Sequence, residues 1–180
     1  MIIHNYTGKS IKELLKKYGT SSSGFYPQDW YKTEKFFTEK PPKGKYEIDL
    51  GENLTNLTYD DQLKKLSDGF TPIHPAILIE YILSYYKETG QRLLEDTFVR
   101  TESVVSDGYR VCVGDFGSWG LDVGSDLDGS CDDDLGLSSA RKFDKKIDAL
   151  NLESSESKGL VERVKELEKF KAKVEKVLKI

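Results

Sequence analysis

The sequence predicts an α+β fold: one domain over residues 1–145, then a linker over 146–159 and an appended amphipathic helix over 160–180. Three observations lead there. One long helical signal, Pro75 to Thr89, stands among short segments of period-two alternation. Glycine recurs throughout the stretch from Asp107 to Gly136, which a helix does not tolerate. Finally, 180 residues with 37% apolar and 11% aromatic side chains can bury one good core and a small appendage.

The elements follow in order. Ser10-Ile-Lys-Glu13 forms a capping box, so a helix starts there and ends at Gly19, with Ile11, Leu14, Leu15 and Tyr18 as its apolar face. A Ser/Gly loop leads into an aromatic stretch holding Phe25, Tyr26, Trp30, Tyr31, Phe36 and Phe37, which Pro41-Pro42 breaks. Lys45 to Leu50 alternates with period two and reads as a strand. Thr58 opens a short helix through Leu66 that stops at Gly69. Pro75 suits a first helical turn and Gly90 a cap, while Ile77, Leu78, Tyr81, Ile82 and Tyr85 form one broad apolar face, making this the central helix of the core. Arg92 to Asp96 and Thr97 to Arg100 lead into strand-like alternation. Tyr109–Val113, Leu121–Val123 and a third apolar patch, Leu135–Leu137 before Ala140–Phe143, read as short strands carrying long polar loops. Beyond the linker, Leu160, Val164, Leu167, Val174 and Leu178 keep heptad-like spacing, with Lys171 interrupting the seam.

A formal charge of −4, with no strongly basic segment before the last helix, argues against a nucleic-acid partner. No apolar run is long enough for a membrane span, and the first residues lack a signal-peptide pattern. A cytoplasmic location is therefore expected, with surface or virion display by another route left open. The sequons at Asn5, Asn53 and Asn56 read as chance in that setting. Two cysteines and two histidines, without a C-x-x-C pair, allow no ordinary zinc cluster; Cys112 and Cys131 are expected as free thiols, with a single disulfide between them as the other reading.

The window from Asp107 to Gly136 uses a different alphabet from the rest of the chain. It holds eight of the sixteen aspartates, seven of the fifteen glycines and both cysteines, yet no Lys and no Glu. Selection for acidity would admit Glu as readily as Asp. Selection for turns does not account for the interleaved Cys, Phe, Tyr, Val and Leu. The missing types point to a constraint on codons.

Familiar chemistry fits the window poorly. Ser118 lies in Gly-Ser-Trp-Gly, with no His nearby in sequence to serve as a base. Each glycine has an Asp within a few residues, which disfavours a phosphate cradle. Calcium is the serious alternative, because Asp126, Asp128, Ser130 and Asp132 alternate like the first ligands of an EF-hand. The match then fails, with Cys131 where Gly is needed and Leu137 where a bidentate Glu is needed. No cofactor is expected otherwise. Trp119 is expected to anchor the loops to the core, with exposed contact as the other reading.

Apart from Trp119, every window residue is Asp, Gly, Tyr, Arg, Val, Cys, Phe, Ser or Leu. All lie within the set produced when the adenines of an Asn codon, AAC or AAT, are randomised. The window thus resembles the variable region of a diversity-generating retroelement target protein. In that family an error-prone reverse transcriptase copies a template repeat, mutates it at adenines and writes the copy into the gene's 3′ part. Arg110-Val111, Gly114, Phe116 or Trp119, Leu121-x-Val123 and Leu135-Gly136-Leu137 before Ala140-Arg141 are similar to the family's closing pattern. The Pro75–Thr89 helix and Arg92-Leu93-Leu94-Glu95 look like the lectin-fold helix and its exit, so the resemblance covers about residues 70 to 144.

The resemblance implies a C-type-lectin-like domain of a bacterium or phage that binds rather than catalyses. Arg110, Val111, Val113, Leu121, Val123, Gly136 and Leu137 would hold the scaffold. The variable, ligand-binding surface would comprise Asp115, Gly117, Ser118, Trp119, Asp122, Ser125, Asp126, Leu127, Ser130, Asp132, Asp133 and Asp134. Its partner would be a protein or surface ligand, and the chain a monomer or a small homo-oligomer formed through the C-terminal helix. The rivals are a calcium-dependent carbohydrate binder of fixed specificity and a structural or assembly protein.

Overall fold

A computed structural model describes residues 2–143 and Arg163. The expected linker and, apart from Arg163, the expected C-terminal helix lie outside the described residues. The chain divides into a compact unit, Met1–Lys142, and a second unit, Phe143–Ile180.

The first unit is mixed α+β. After β1 (Ile2–Tyr6), the capping box forms as the sequence predicts: Glu13 N–H donates to Ser10 Oγ at 3.4 Å, and Ser10 N–H donates to the Glu13 carboxylate at 2.8 Å. It starts α1 (Ile11–Tyr18), which buries Ile11 and Leu14 and stops at Gly19, φ 69°. The aromatic stretch makes a 3-10 turn (Trp30–Thr33) and the short α2 (Lys35–Thr38), burying Phe25, Tyr31, Phe36 and Phe37. β2 (Gly44–Asp49) follows. Thr58 caps α3 (Tyr59–Leu63), which ends three residues before the expected Leu66. There the chain tightens, with Lys65 N–H bonded to Gln62 O and Leu66 N–H to Leu63 O.

β3 (Thr71–Pro72) leads into α4 (Pro75–Thr89), whose bounds match the expectation. Its burial does not match: all nine residues from Pro75 to Leu83 are buried, where one broad face was expected. The buried Glu80 accepts hydrogen bonds from the Thr7 amide and hydroxyl, and His4 lies 3.7 Å away. An all-round buried helix keeps a charge only when it is paired in this way.

The remaining strands are β4 (Phe98–Val104), β5 (Arg110–Gly117), β6 (Gly120–Asp126), β7 (Leu135–Leu137) and β8 (Ser139–Lys142). They assemble, with β1 to β3, into two four-stranded sheets of order β1-β2-β8-β3 and β6-β5-β4-β7. Ser138, fully buried, joins them: its hydroxyl donates to Asp49 O and its amide to Arg100 O. One core packs α1 and α4 with residues of both sheets. Among the described residues, no helix is long and apolar enough to cross a membrane.

The expected short strands with long loops become a longer hairpin and one crossover. β5 and β6, of eight and seven residues, close in a tight turn at Ser118-Trp119. β7 runs parallel to β4, and two antiparallel pairings make β6 parallel to β4 as well. Residues 127–134 must therefore return across β5 and β4. Such crossovers usually take a dozen or more residues and a helix; here eight residues suffice, and none is helical.

Candidate binding surface

At the hairpin tip, Trp119 is 75% exposed, which corrects the expectation that it anchors the loops. The anchoring is done by its neighbour Gly120 at φ 111°: a Cβ there would sit 2.5 Å from Ser21 O. Leu121 N–H donates to Gly24 O, and Tyr26 N–H to Leu121 O. Trp30 Nε1 donates to Val123 O at 3.1 Å. The aromatic N-terminal third thus covers the outer edge of β6, an edge that would otherwise invite pairing with another chain.

Two tip-side residues are less free than the sequence suggests. Asp115 sits in a bulge at φ 43°, a conformation that suits Gly, Asn and Asp. Asp122 is half-buried and accepts a 2.7 Å hydrogen bond from Gln28 Nε2; burial pushes its carboxyl upward, and the Gln28 bond partly offsets this. Ser118 is exposed and Gly117 half-exposed, with nothing nearer than 4.0 Å to an added Cβ at 117.

The crossover is held differently. Six of its carbonyls, or those just beside it, accept from residues outside the window. Arg100 donates to Leu127 O (3.0 Å) and Ser130 O (2.9 Å), Tyr59 N–H to Asp128 O (2.8 Å) and Asn56 N–H to Asp132 O (2.9 Å). Phe98 N–H reaches Asp134 O (2.8 Å) and Gln62 Nε2 reaches Leu135 O (2.9 Å). Leu127, Cys131, Asp132, Asp133 and Asp134 meanwhile expose their side chains, Leu127 by 54%.

Arg100 organises this region. Fully buried, it also donates to Leu57 O at 3.3 Å and Gln62 Oε1 at 2.9 Å, so its two terminal nitrogens are held by neutral acceptors while its Nε is buried without a partner among the described residues. The sequence reading missed Arg100 and Gln62. The available signal was an arginine in the middle of the β-prone run Phe98-Val99-Arg100-Thr101, since a strand centre rarely holds a charge without a task.

The alternating acids are largely committed. Arg110 forks onto both oxygens of Asp128 at 2.7 and 2.8 Å, stacks over the Tyr59 ring at 3.7 Å and holds the Asp128 carboxyl below its usual range. Asp126 accepts from Leu127 N–H and Ser130 Oγ, both at 2.6 Å. Among the described residues, no three His, Cys, Asp or Glu side chains converge as a metal site. Cys112 is buried, its thiol pushed up to about 12 by desolvation, and Cys131 is exposed; both are free thiols. His74 Nδ1 accepts from Ala76 N–H at the start of α4 and His4 faces Glu80, so both histidines have structural positions.

The scaffold residues Val111, Val113, Leu121, Val123, Gly136 and Leu137 are buried, and Arg110 is half-buried. Gly136 is sterically required, because its Cβ would lie 2.3 Å from Gly51 O; at Gly114 the corresponding clash is 2.0 Å with Thr97 O. The proposed display residues fall into two groups along the hairpin: a tip of Asp115, Gly117, Ser118 and Trp119, and a surface of Asp122, Ser125 and Asp126 continuing into the crossover. Between sheet and crossover lies a cavity of about 150 Å³. Comparison with family models, curated proteins and solved structures found no match.

Proposed function

We propose that the chain is a binding protein whose ligand is set by the side chains of residues 107–136, diversified by a retroelement on a C-type-lectin-like scaffold. One observation carries this reading: the crossover is fastened through its main chain by donors outside the window. Carbonyls are present whatever the side chain, so a loop held in this way keeps its path while its sequence changes. A ready-made path also limits the entropy lost on binding. Antibody loops use a similar Tyr, Ser, Gly and Asp vocabulary to the same end.

The glycines support the division between scaffold and display. Gly114, Gly120 and Gly136 leave no room for a Cβ, whereas Gly129 has nothing within 4 Å of one. The deciding experiment is to sequence the DNA around the gene. A nearby copy of the segment encoding 107–143, differing almost only at adenines and beside a reverse transcriptase, is expected; absence of both removes the diversification.

The calcium-binding rival draws on the exposed Asp132, Asp133 and Asp134. A bound ion stabilises by about 2.7 kcal/mol at a hundredfold excess over Kd. On the receptor reading, millimolar calcium leaves the melting temperature unchanged; a rise of several degrees, reversed by chelator, favours the rival.

A further inference from the structure

The cavity between the sheet and the crossover combines apolar and acidic lining. Phe98, Cys112, Gly124 and Leu135 line it together with Ser125 and the acidic Asp126 and Asp134. Among the described residues, no Lys or Arg lines it. The Asp134 carboxylate is exposed and makes no hydrogen bond or ion pair among the described residues.

We propose that this cavity receives one cationic side chain, an ammonium or guanidinium, from a basic protein partner. The inference rests on the diversified-surface reading and names the ligand class that this version of the window selects. A cation on an aliphatic stem suits both kinds of lining. The stem lies against the apolar lining, and the charge meets the two carboxylates and the Phe98 ring. A neutral apolar group would cover the same carboxylates without compensation, and an anion would be repelled.

Size and surroundings agree. A cavity of about 150 Å³ is known to hold a benzene-sized group, which is the scale of one side chain and not of a folded segment. The window carries eight aspartates against one arginine, and that arginine is already forked onto Asp128. The opposing charge is Arg100, beside Cys112 in the strand register; its terminal nitrogens turn to carbonyls and Gln62, while its Nε is buried without a partner among the described residues. The remaining acidic field steers a basic partner towards the cavity. Gly124 keeps the space open, since a Cβ there would touch the Phe98 ring at 3.5 Å and a larger residue would fill the space.

The test is an NMR titration of the full chain with N-acetyl-lysine methylamide, beside the norleucine and aspartate analogues. The lysine compound is expected to shift the Ser125, Asp126 and Asp134 amides saturably in the millimolar range usual for a single weak contact. Asp134→Asn should weaken it by roughly fivefold, the upper range for an exposed charge pair. Gly124→Val should abolish it; should that variant melt early, Asp134→Asn carries the test, because its side chain supports nothing. Equal shifts with norleucine, shifts with aspartate, or silence with lysine overturn the proposal. Silence with lysine leaves the diversification reading intact, since the DNA decides that separately. Lysine binding without an adenine-mutated repeat leaves the cavity assignment standing and removes the diversification.

Discussion

In the β5–β6 hairpin the side chains carry the fold, whereas in residues 127–134 the main chain does most of it, with the Asp128–Arg110 pair and the Ser130–Asp126 bond beside it. The hairpin buries Val111, Val113, Phe116, Leu121 and Val123, and its glycines at 114 and 120 are sterically required. The crossover buries no side chain among residues 127–134, yet its carbonyls are held by four residues of the segment 56–100. Two adjoining stretches of one compositional window are thus fixed by opposite means. Side-chain packing ties sequence to structure; carbonyl anchoring separates them. Each prediction below sets one mode of fixing against the other.

The largest effect is expected at Arg100. Arg100→Met keeps the bulk but leaves Leu57 O, Leu127 O, Ser130 O and Gln62 Oε1 without this donor. Buried unpaired groups cost ~1–3 kcal/mol each, so a loss of about 4 kcal/mol or more is expected in urea denaturation, with the crossover losing hydrogen-exchange protection first. Arg100→Lys should recover little, because one ammonium cannot span the same fork. A cost below about 1 kcal/mol would mean that the crossover is held by something else.

Glycines separate the modes next. Gly136→Ala places a Cβ 2.3 Å from Gly51 O, against backbone that cannot swing aside, and should cost about 3 kcal/mol. Gly129→Ala meets nothing within 4 Å and should be neutral or slightly stabilising. Parallel thermal melts of the two variants check the pair, and similar shifts in both would erase the distinction.

Acid response should come from the β1–α4 junction more than from the window. Burial alone raises the Glu80 carboxyl, but the His4 and Thr7 contacts outweigh it and hold the group at about 2, below 4.5. A depressed carboxyl contributes stability above its unfolded value and loses it as pH falls through the folded one. Glu80→Gln should therefore cost about 2 kcal/mol at neutral pH, with the gap to the unmodified chain closing between pH 4.5 and about 2. Asp128 is also depressed, by Arg110, but its side chain is 47% exposed, so Asp128→Asn should cost under about 1 kcal/mol. Urea titrations across that pH range compare the two.

Much of the fold was legible in the sequence because local signals and tertiary packing agree there. The capping box at Ser10 and the Pro75 and Gly90 ends of α4 are satisfied by the chain's own nearby groups, so no distant information was needed. The burial of Glu80 was not legible, because its partners lie on β1 and just after it, 73 residues away for Thr7. Trp119 was misplaced for a related reason: an indole in a Gly-rich turn resembles an anchor until Gly120 takes that role against Ser21 and Phe25. The candidate surface was legible as composition only. Its geometry depends on Arg100 and Gln62, and a main-chain carbonyl leaves no mark in a sequence to show which donor will reach it.

The smallest effects should fall on Asp132 and Asp133. Both side chains are exposed, and Asp132 takes part in the fold through its carbonyl, which Asn56 N–H reaches at 2.9 Å. Substituting Ser, Tyr or Asn leaves that carbonyl in place, so each change should move stability by less than about 0.5 kcal/mol. Val123→Ala, nine residues earlier, should cost ~2–4 kcal/mol, because a fully buried strand residue leaves a cavity when truncated. Asp122 falls between them, since the bond from Gln28 ties it to the N-terminal third. The whole series can be measured by chemical denaturation in a single buffer. Aspartate changes as costly as Val123→Ala would mean that the side chains of 132 and 133 hold the crossover after all. In that case a window free to vary would be physically untenable, whatever its codons suggest.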